Sequence, residues 1–108
     1  SQWNTELVRR LGEASSSVPA KQLLMAEKWL IKNPQDIVLL TALGNICCQA
    51  KFWGKAKDYF SSAVALQPSP YLFLKLSEVL EEIGDLAGSN ESCKRGLLLG
   101  LETQFNQD

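Results

Sequence analysis

The feature that most constrains this chain is a helix–bend–helix pattern in residues 40–68 that recurs, in weaker form, in residues 73–101. Small residues stand at Gly44 and Ala56, and serines stand at the equivalent places of the second copy, Ser77 and Ser89. Apolar residues around them recur at the three- and four-residue intervals of an α-helix. Because antiparallel helices cross closely only where small side chains meet, Gly44 and Ala56 mark a crossing point. The recurrence predicts a stack of helical hairpins.

The spacing resembles that of the tetratricopeptide repeat, W-x2-L-G-x2-Y…A-x3-F…P. The matching residues are Leu40, Leu43, Gly44, Cys47, Ala56, Phe60 and Pro68. Phe52-Trp53-Gly54 is expected at the bend, and Pro68 cannot continue the second helix. We therefore predict an all-α fold of three tetratricopeptide-like helical hairpins in a short right-handed solenoid. The hairpins are expected at about 3–34, 36–68 and 70–102, within one domain spanning 1–108.

The outer hairpins match the pattern less well. We expect an amphipathic helix over 3–14, a polar linker over 15–19, and a second helix over 20–32 that Asn33-Pro34 ends. Asp36 is expected to cap the next helix. In the third hairpin the bend is predicted at Gly84-Asp85. Gly96 and Gly100 are expected to weaken the last helix by about 1 kcal/mol each relative to alanine.

The composition excludes several classes of function. Eleven basic and twelve acidic residues give a net charge of −1, which lacks the basic footprint of nucleic-acid binding. The chain has no histidine and no glycine-rich phosphate loop, so we predict that it is not an enzyme and has no cofactor or metal. No apolar run reaches the ~20 residues that span a bilayer. Of the three cysteines, Cys47 and Cys93 are predicted in the core, where a thiol behaves as a small hydrophobe.

In stacked hairpins the first helix of each pair lines a concave groove, where a protein or peptide is the expected partner. The predicted groove residues are Val38, Thr41, Asn45, Cys48, Gln49, Tyr71, Leu74, Glu78, Glu81 and Glu82. The floor is largely uncharged, and the three glutamates would suit a basic or donor-rich segment. The alternative is that these glutamates form a solvated face without a partner.

Leucines at 97, 98, 99 and 101 exceed what one neighbouring helix normally covers. A further helix of a longer protein, or a second copy forming a homodimer through Leu97–Leu101, would cover them. The alternative is that two or three of them pack inward. Phe52 and Trp53 are expected either to cap the core or to anchor a partner.

Several segments resemble the C-terminal half of the HemY family more specifically than the repeat requires. These are 19–23, 26–30, 33–36, 39–44, 53–59 and 66–70. Within the last two, Trp53-Gly54-Lys55-Ala56 and Pro68-Ser69-Pro70 are the specific part. The resemblance implies a bacterial inner-membrane protein from a haem-biosynthesis operon, anchored by N-terminal helices and carrying repeats on the cytoplasmic side. On this interpretation the present chain is a soluble fragment, and the membrane is reached only through the missing anchor.

Two functions of different class remain open. The first is a non-catalytic scaffold for protein partners, associated through the resemblance with late protohaem or porphyrin metabolism. The second is a haem or porphyrin carrier that uses Cys48, Trp53 or the apolar surface around Leu97–Leu101. The missing histidine favours the scaffold.

Overall fold

The computed structural model describes residues 19–105, which form five α-helices and no strand. The helices are α1 (Pro19–Lys32), α2 (Ile37–Gln49), α3 (Trp53–Leu66), α4 (Pro70–Ile83) and α5 (Leu86–Phe105). Each helix packs against the next one along the chain. The predicted all-α architecture of helical hairpins is confirmed, with α2–α3 and α4–α5 as two hairpins. The predicted helix over 3–14 lies outside the described residues, and the tetratricopeptide assignment stays a prediction.

Three helices begin at side chains that accept a hydrogen bond from the first turn. Asp36, Ser69 and Asp85 each accept from the backbone N–H three residues later, at 3.1, 3.1 and 2.9 Å. Such caps satisfy amides that have no partner inside the helix, and losing one typically costs ~1 kcal/mol. The predicted cap at Asp36 is confirmed, and the caps explain why α2, α4 and α5 begin where they do.

The bend between α2 and α3 lies earlier than predicted. Lys51 takes the left-handed conformation (φ 61°), and the Phe52 amide bonds back to the Cys47 carbonyl at 2.8 Å, so the chain turns there and α3 already starts at Trp53. Gly84 takes the same role at the equivalent place of the next hairpin, with φ 97°. Glycine favours this conformation because it has no Cβ. Of the three residues predicted at the bend, Phe52 lies between the helices, whereas Trp53 and Gly54 are helical.

The α2–α3 crossing is built on one close contact. A Cβ placed on Gly44 would lie 2.6–2.8 Å from three ring atoms of Phe60. Phe60 and Ala56 are both fully buried in a core that also includes Leu39 and Leu43. The absent side chain of Gly44 therefore provides the space that the Phe60 ring occupies.

In the α4–α5 hairpin the equivalents of Gly44 and Ala56 are serines, and their hydroxyl groups form hydrogen bonds. The Oγ atoms of Ser77 and Ser89 lie 3.0 Å apart, and Ser89 also donates to the Ser77 carbonyl at 2.9 Å. Both residues are buried. Gly96 does not interrupt α5, which is continuous, and a Cβ there would lie 2.7 Å from the Cβ of Phe73. Glycine lowers the helix propensity of α5 at this position, but its missing side chain allows α4 to approach α5 closely.

Side-chain polar contacts connect α1 to α3. Glu27 Oε2 accepts from Tyr59 Oη at 2.6 Å and from Lys55 Nζ at 2.9 Å. Burial of Glu27 opposes its ionisation, but the hydrogen bonds from Tyr59 and Lys55 outweigh it and hold the pKa of Glu27 below its ordinary value. Burial and the carboxylate together raise the pKa of Tyr59. The three groups thus form a hydrogen-bonded contact between α1 and α3.

Candidate functional site

Side chains of α2 and α4 meet on one face of the molecule. Asn45 on α2 is half-buried, and its Nδ2 atom lies 3.4 Å from the hydroxyl of Tyr71 on α4. Tyr71 keeps half of its surface exposed. Two residues that are far apart in the sequence thus provide amide and phenol groups at the same place.

Further along the same pair of helices, Cys48 lies among charged groups of α4. Burial raises the pKa of the Cys48 thiol; the positive charge of Lys75 acts to lower it, and Glu78 and Glu82 act to raise it. Charged side chains of α4 thus contribute to the electrostatic environment of Cys48, near the end of α2. We call the surface formed by Asn45, Cys48, Tyr71, Lys75, Glu78 and Glu82 the α2–α4 face.

Lys75 is the member of this face that the sequence prediction missed. Its Nζ atom lies 3.4 Å from Glu78 Oε1, and its side chain is less exposed than that of Glu78 (24% against 55%). Lys75 follows Tyr71 by four residues and precedes Glu78 by three, which is the spacing of one helical face. That spacing was the available signal. The acidic end of the face is therefore partly neutralised by its own lysine.

The remaining predicted groove residues take different positions. Val38 packs against the core. The Thr41 hydroxyl donates its hydrogen bond to the Ile37 carbonyl at 2.8 Å, so it is not available as a donor to a ligand. Gln49 and Glu81 are exposed. Leu74 lines a second groove, between α4 and α5. The α2–α4 face is thus narrower than the predicted groove.

The second groove is apolar and lies along α5. We call it the α5 groove; it encloses about 440 Å³ and is lined by Pro70, Leu74, Cys93, Gly96, Leu97, Gly100, Leu101 and Gln104. Leu97, Leu98 and Leu101 are 66%, 56% and 49% exposed. Only Leu99 is half-buried, so the alternative in which two or three of the four leucines pack inward is wrong.

The cysteines differ sharply in environment. Cys47 is fully buried, as predicted, and burial is the main reason why its pKa rises to about 12. Cys93 is exposed, so its predicted place in the core is wrong. Cys93 is the repeat equivalent of Phe60, whose surroundings include α4, whereas no described helix follows α5. Position in the repeat predicts burial only where a following helix supplies the cover.

Two further observations concern metals and membranes. Among residues 19–105, no three His, Cys, Asp or Glu side chains are grouped so that they could hold a metal ion. No helix in the same range is long and apolar enough to cross a membrane. Phe52 is 42% exposed at the bend, while Trp53 packs against the core. Capping of the core is thus seen for Trp53, and anchoring of a partner by Phe52 stays a prediction.

Comparison with known protein families and with curated proteins found no match for this chain. The α2–α4 face and the α5 groove are therefore interpreted from their own chemistry.

Proposed function

We propose that this chain is a non-catalytic scaffold of the tetratricopeptide type that binds a basic protein segment on the α2–α4 face. The observation that supports this most directly is the meeting of two helices from successive hairpins, with the Asn45–Tyr71 contact at one end and glutamates at the other. An extended or helical segment lying across both helices would contact groups of each.

The charges of the face suit a cationic ligand. Glu78 and Glu82 are exposed, so an arriving Lys or Arg would find carboxylates within reach. It would compete with Lys75 for Glu78, whereas Glu82 lies outside that ion pair. Charge-assisted hydrogen bonds of this kind are about twice as strong as neutral ones. Asn45 and Tyr71 can bond the polar backbone of the same ligand, which gives a neutral end and an acidic end to one site.

The wider role that we propose is the one implied by the resemblance to the HemY family. Trp53-Gly54-Lys55-Ala56 and Pro68-Ser69-Pro70 are its most specific segments. Lys55 bonds to Glu27, and Ser69 caps α4, so both segments also have structural roles here. On this proposal the scaffold serves late haem or porphyrin metabolism at the bacterial inner membrane.

The test uses matched charge reversals and a panel of lysine- and arginine-containing peptides. Fluorescence anisotropy should show salt-dependent binding that is weakened at least about tenfold by Glu78→Lys/Glu82→Lys. The control, Glu91→Lys/Glu102→Lys, makes the same change in net charge on α5 and should retain binding. Equal loss in both double variants, or preference for acidic peptides, would exclude a specific basic-ligand site on the α2–α4 face.

The carrier function is less well supported. Burial raises the pKa of Cys48, which disfavours the thiolate that a haem iron would need, and neither Cys48 nor Trp53 lines the α5 groove. Haem titration followed at the Soret band should give only weak binding, identical in a Cys48→Ala variant. Saturable one-to-one binding that is lost in the variant would favour the carrier over the scaffold.

A further inference from the structure

The outward side of α1 combines lysines with apolar side chains. We call this surface the α1 outer face; it consists of Lys21, Leu24, Met25, Lys28, Ile31 and Lys32, all of which are exposed. At about 100° per residue, the six positions fall within an arc of about 120° around the helix, with the lysines in the middle. Leu24 and Ile31, which are 63% and 81% exposed, lie along one edge of this arc. The buried residues Leu23 and Ala26 lie on the opposite side of α1, where the core is.

The lysines of the α1 outer face are not neutralised by neighbouring acids. The one carboxylate of α1, Glu27, lies outside the arc and accepts hydrogen bonds from Tyr59 and Lys55. Among the described residues the ion pairs involve Lys55 and Lys75, so none of them uses a lysine of the α1 outer face. The face is therefore a local concentration of positive charge on a chain whose net charge is only −1.

Charge is distributed unevenly along the stack of helices. Residues 19–66, which form α1–α3, carry six lysines and three carboxylates, whereas residues 70–105 carry three basic and six acidic residues. Each helix packs on the next one along the chain, so α1 and α5 form the two ends of the described stack. The α1 outer face thus belongs to the basic end. An extended anionic surface would attract this end and repel the other.

The mixture of side chains on the α1 outer face distinguishes between anionic partners. The phosphates of a nucleic acid would attract the lysines but would leave Leu24 and Ile31 in water. The interface of a lipid bilayer accepts both kinds of side chain. Apolar groups enter the boundary between headgroups and acyl chains, while the long lysine side chains keep their ammonium groups among the headgroups.

We propose that the α1 outer face binds the surface of an anionic lipid bilayer, with α1 lying parallel to the membrane plane. The three ammonium groups contact lipid phosphates, and Leu24 and Ile31 enter the boundary between headgroups and acyl chains. The contact is peripheral and reversible, because three lysines and a narrow apolar edge bind far more weakly than a membrane-spanning helix. The folded chain itself makes this contact, which does not depend on the α2–α4 face.

Vesicle flotation measures this interaction. The vesicles contain phosphatidylglycerol and phosphatidylcholine in equal parts, and pure phosphatidylcholine vesicles are the neutral comparison. The wild-type chain should bind the anionic vesicles alone, and less so as the salt concentration rises. Lys28→Gln/Lys32→Gln should weaken binding about thirtyfold, because each lysine near an anionic surface contributes about fivefold. The control Lys57→Gln/Lys94→Gln makes the same change in net charge at exposed lysines of α3 and α5 and should weaken binding far less.

A second pair of variants tests the contribution of the apolar edge. Leu24→Gln/Ile31→Gln keeps every charge and should still weaken vesicle binding by about tenfold, because apolar surface is no longer taken out of water. The control Leu86→Gln/Leu98→Gln alters two leucines of α5 that are also more than half exposed, and it should bind like the wild type. Circular dichroism checks that each variant remains helical.

Several results would overturn the proposal. One is equal binding to neutral and anionic vesicles, and another is equal loss of binding in the two lysine variants. Binding to a DNA duplex that is as tight as binding to vesicles and unchanged in Leu24→Gln/Ile31→Gln would identify a nucleic-acid surface instead. If the wild-type chain failed to bind anionic vesicles even at low salt, a membrane would be excluded, and an acidic protein would become the partner to test.

Discussion

Adding one methyl group at Gly44 should destabilise the protein even though alanine is the better helix former. Replacing a mid-helix glycine with alanine normally gains up to about 1 kcal/mol. At Gly44 the new Cβ would lie 2.6–2.8 Å from three atoms of the Phe60 ring, well inside van der Waals contact. Phe60 is fully buried, so its ring cannot move into solvent. Overpacking of this kind costs about 1–3 kcal/mol, so we expect a net loss of about 1–2 kcal/mol.

Urea unfolding followed by far-UV circular dichroism measures this change. With a slope of about 1–3 kcal/mol/M, a loss of about 1–2 kcal/mol should lower the midpoint of Gly44→Ala by about 0.3–2 M. Gly54→Ala is the matched control, because a Cβ on that exposed helical residue would meet nothing within 4 Å. It should be neutral or stabilising. If Gly44→Ala proved as stable as the wild type, the close Gly44–Phe60 contact would not govern the crossing.

A smaller residue at position 60 should relieve the strain. Phe60→Leu alone is expected to cost about 1 kcal/mol or more through lost packing. In Gly44→Ala/Phe60→Leu the two losses should be less than additive, because the side chain that the methyl group meets has been shortened. Additive losses would mean that the two residues act independently, against the contact described here.

Three further predictions concern the α4–α5 hairpin. Gly96→Ala should destabilise by about 1–2 kcal/mol, because α4 approaches closely there and overpacking exceeds the gain in helix propensity. Gly100→Ala, with only ordinary contacts, should be neutral or gain up to about 1 kcal/mol in the same urea assay. Ser89→Ala should cost about 1–2 kcal/mol, because it leaves the buried Ser77 hydroxyl without its partner. In a double-mutant cycle, Ser77→Gly/Ser89→Ala should cost less than the sum of the two single changes. A thiol reagent should modify the exposed Cys93 first among the three cysteines, as measured by mass spectrometry of the labelled peptides.

Local signals in the sequence were sufficient to predict the ends of several helices. Asp36 stands before an apolar run, and Asn33-Pro34 stands after one. Both signals act on backbone groups only a few residues away, and the structure has helix boundaries at both places. The bend at Lys51 was missed because a lysine in the left-handed conformation has no sequence signal of its own. Its role became visible only from the equivalent Gly84.

Features that depend on distant residues were harder to predict. Gly96 was interpreted as a weak point in α5 because its partner, Phe73, lies on the preceding helix, where no local pattern reveals it. Cys93 was placed in the core because the repeat equates it with a buried residue, although burial there needs a following helix. On α4, spacing alone does not separate Leu74 from Lys75, because the one follows Tyr71 by three residues and the other by four. Leu74 lines the other groove because α5 packs against that side of α4.

The α1–α3 contact should make stability depend on acid pH in one direction. Because the pKa of Glu27 is lower in the folded chain than its ordinary value of 4.5, its ionisation stabilises the fold fully above pH 4.5, and this contribution is lost as the pH falls through the folded-state pKa. Glu27→Gln should remove that part of the acid dependence, and Tyr59→Phe should reduce it, because the phenol donates to the carboxylate.

Glu78→Gln is the control: its partner Lys75 lies on the same helix, and surface pairs of that kind contribute little. The measurement is the free energy of unfolding in urea at a series of pH values. A Glu27→Gln profile parallel to that of the wild type would show that the carboxylate does not stabilise the packing of α1 on α3.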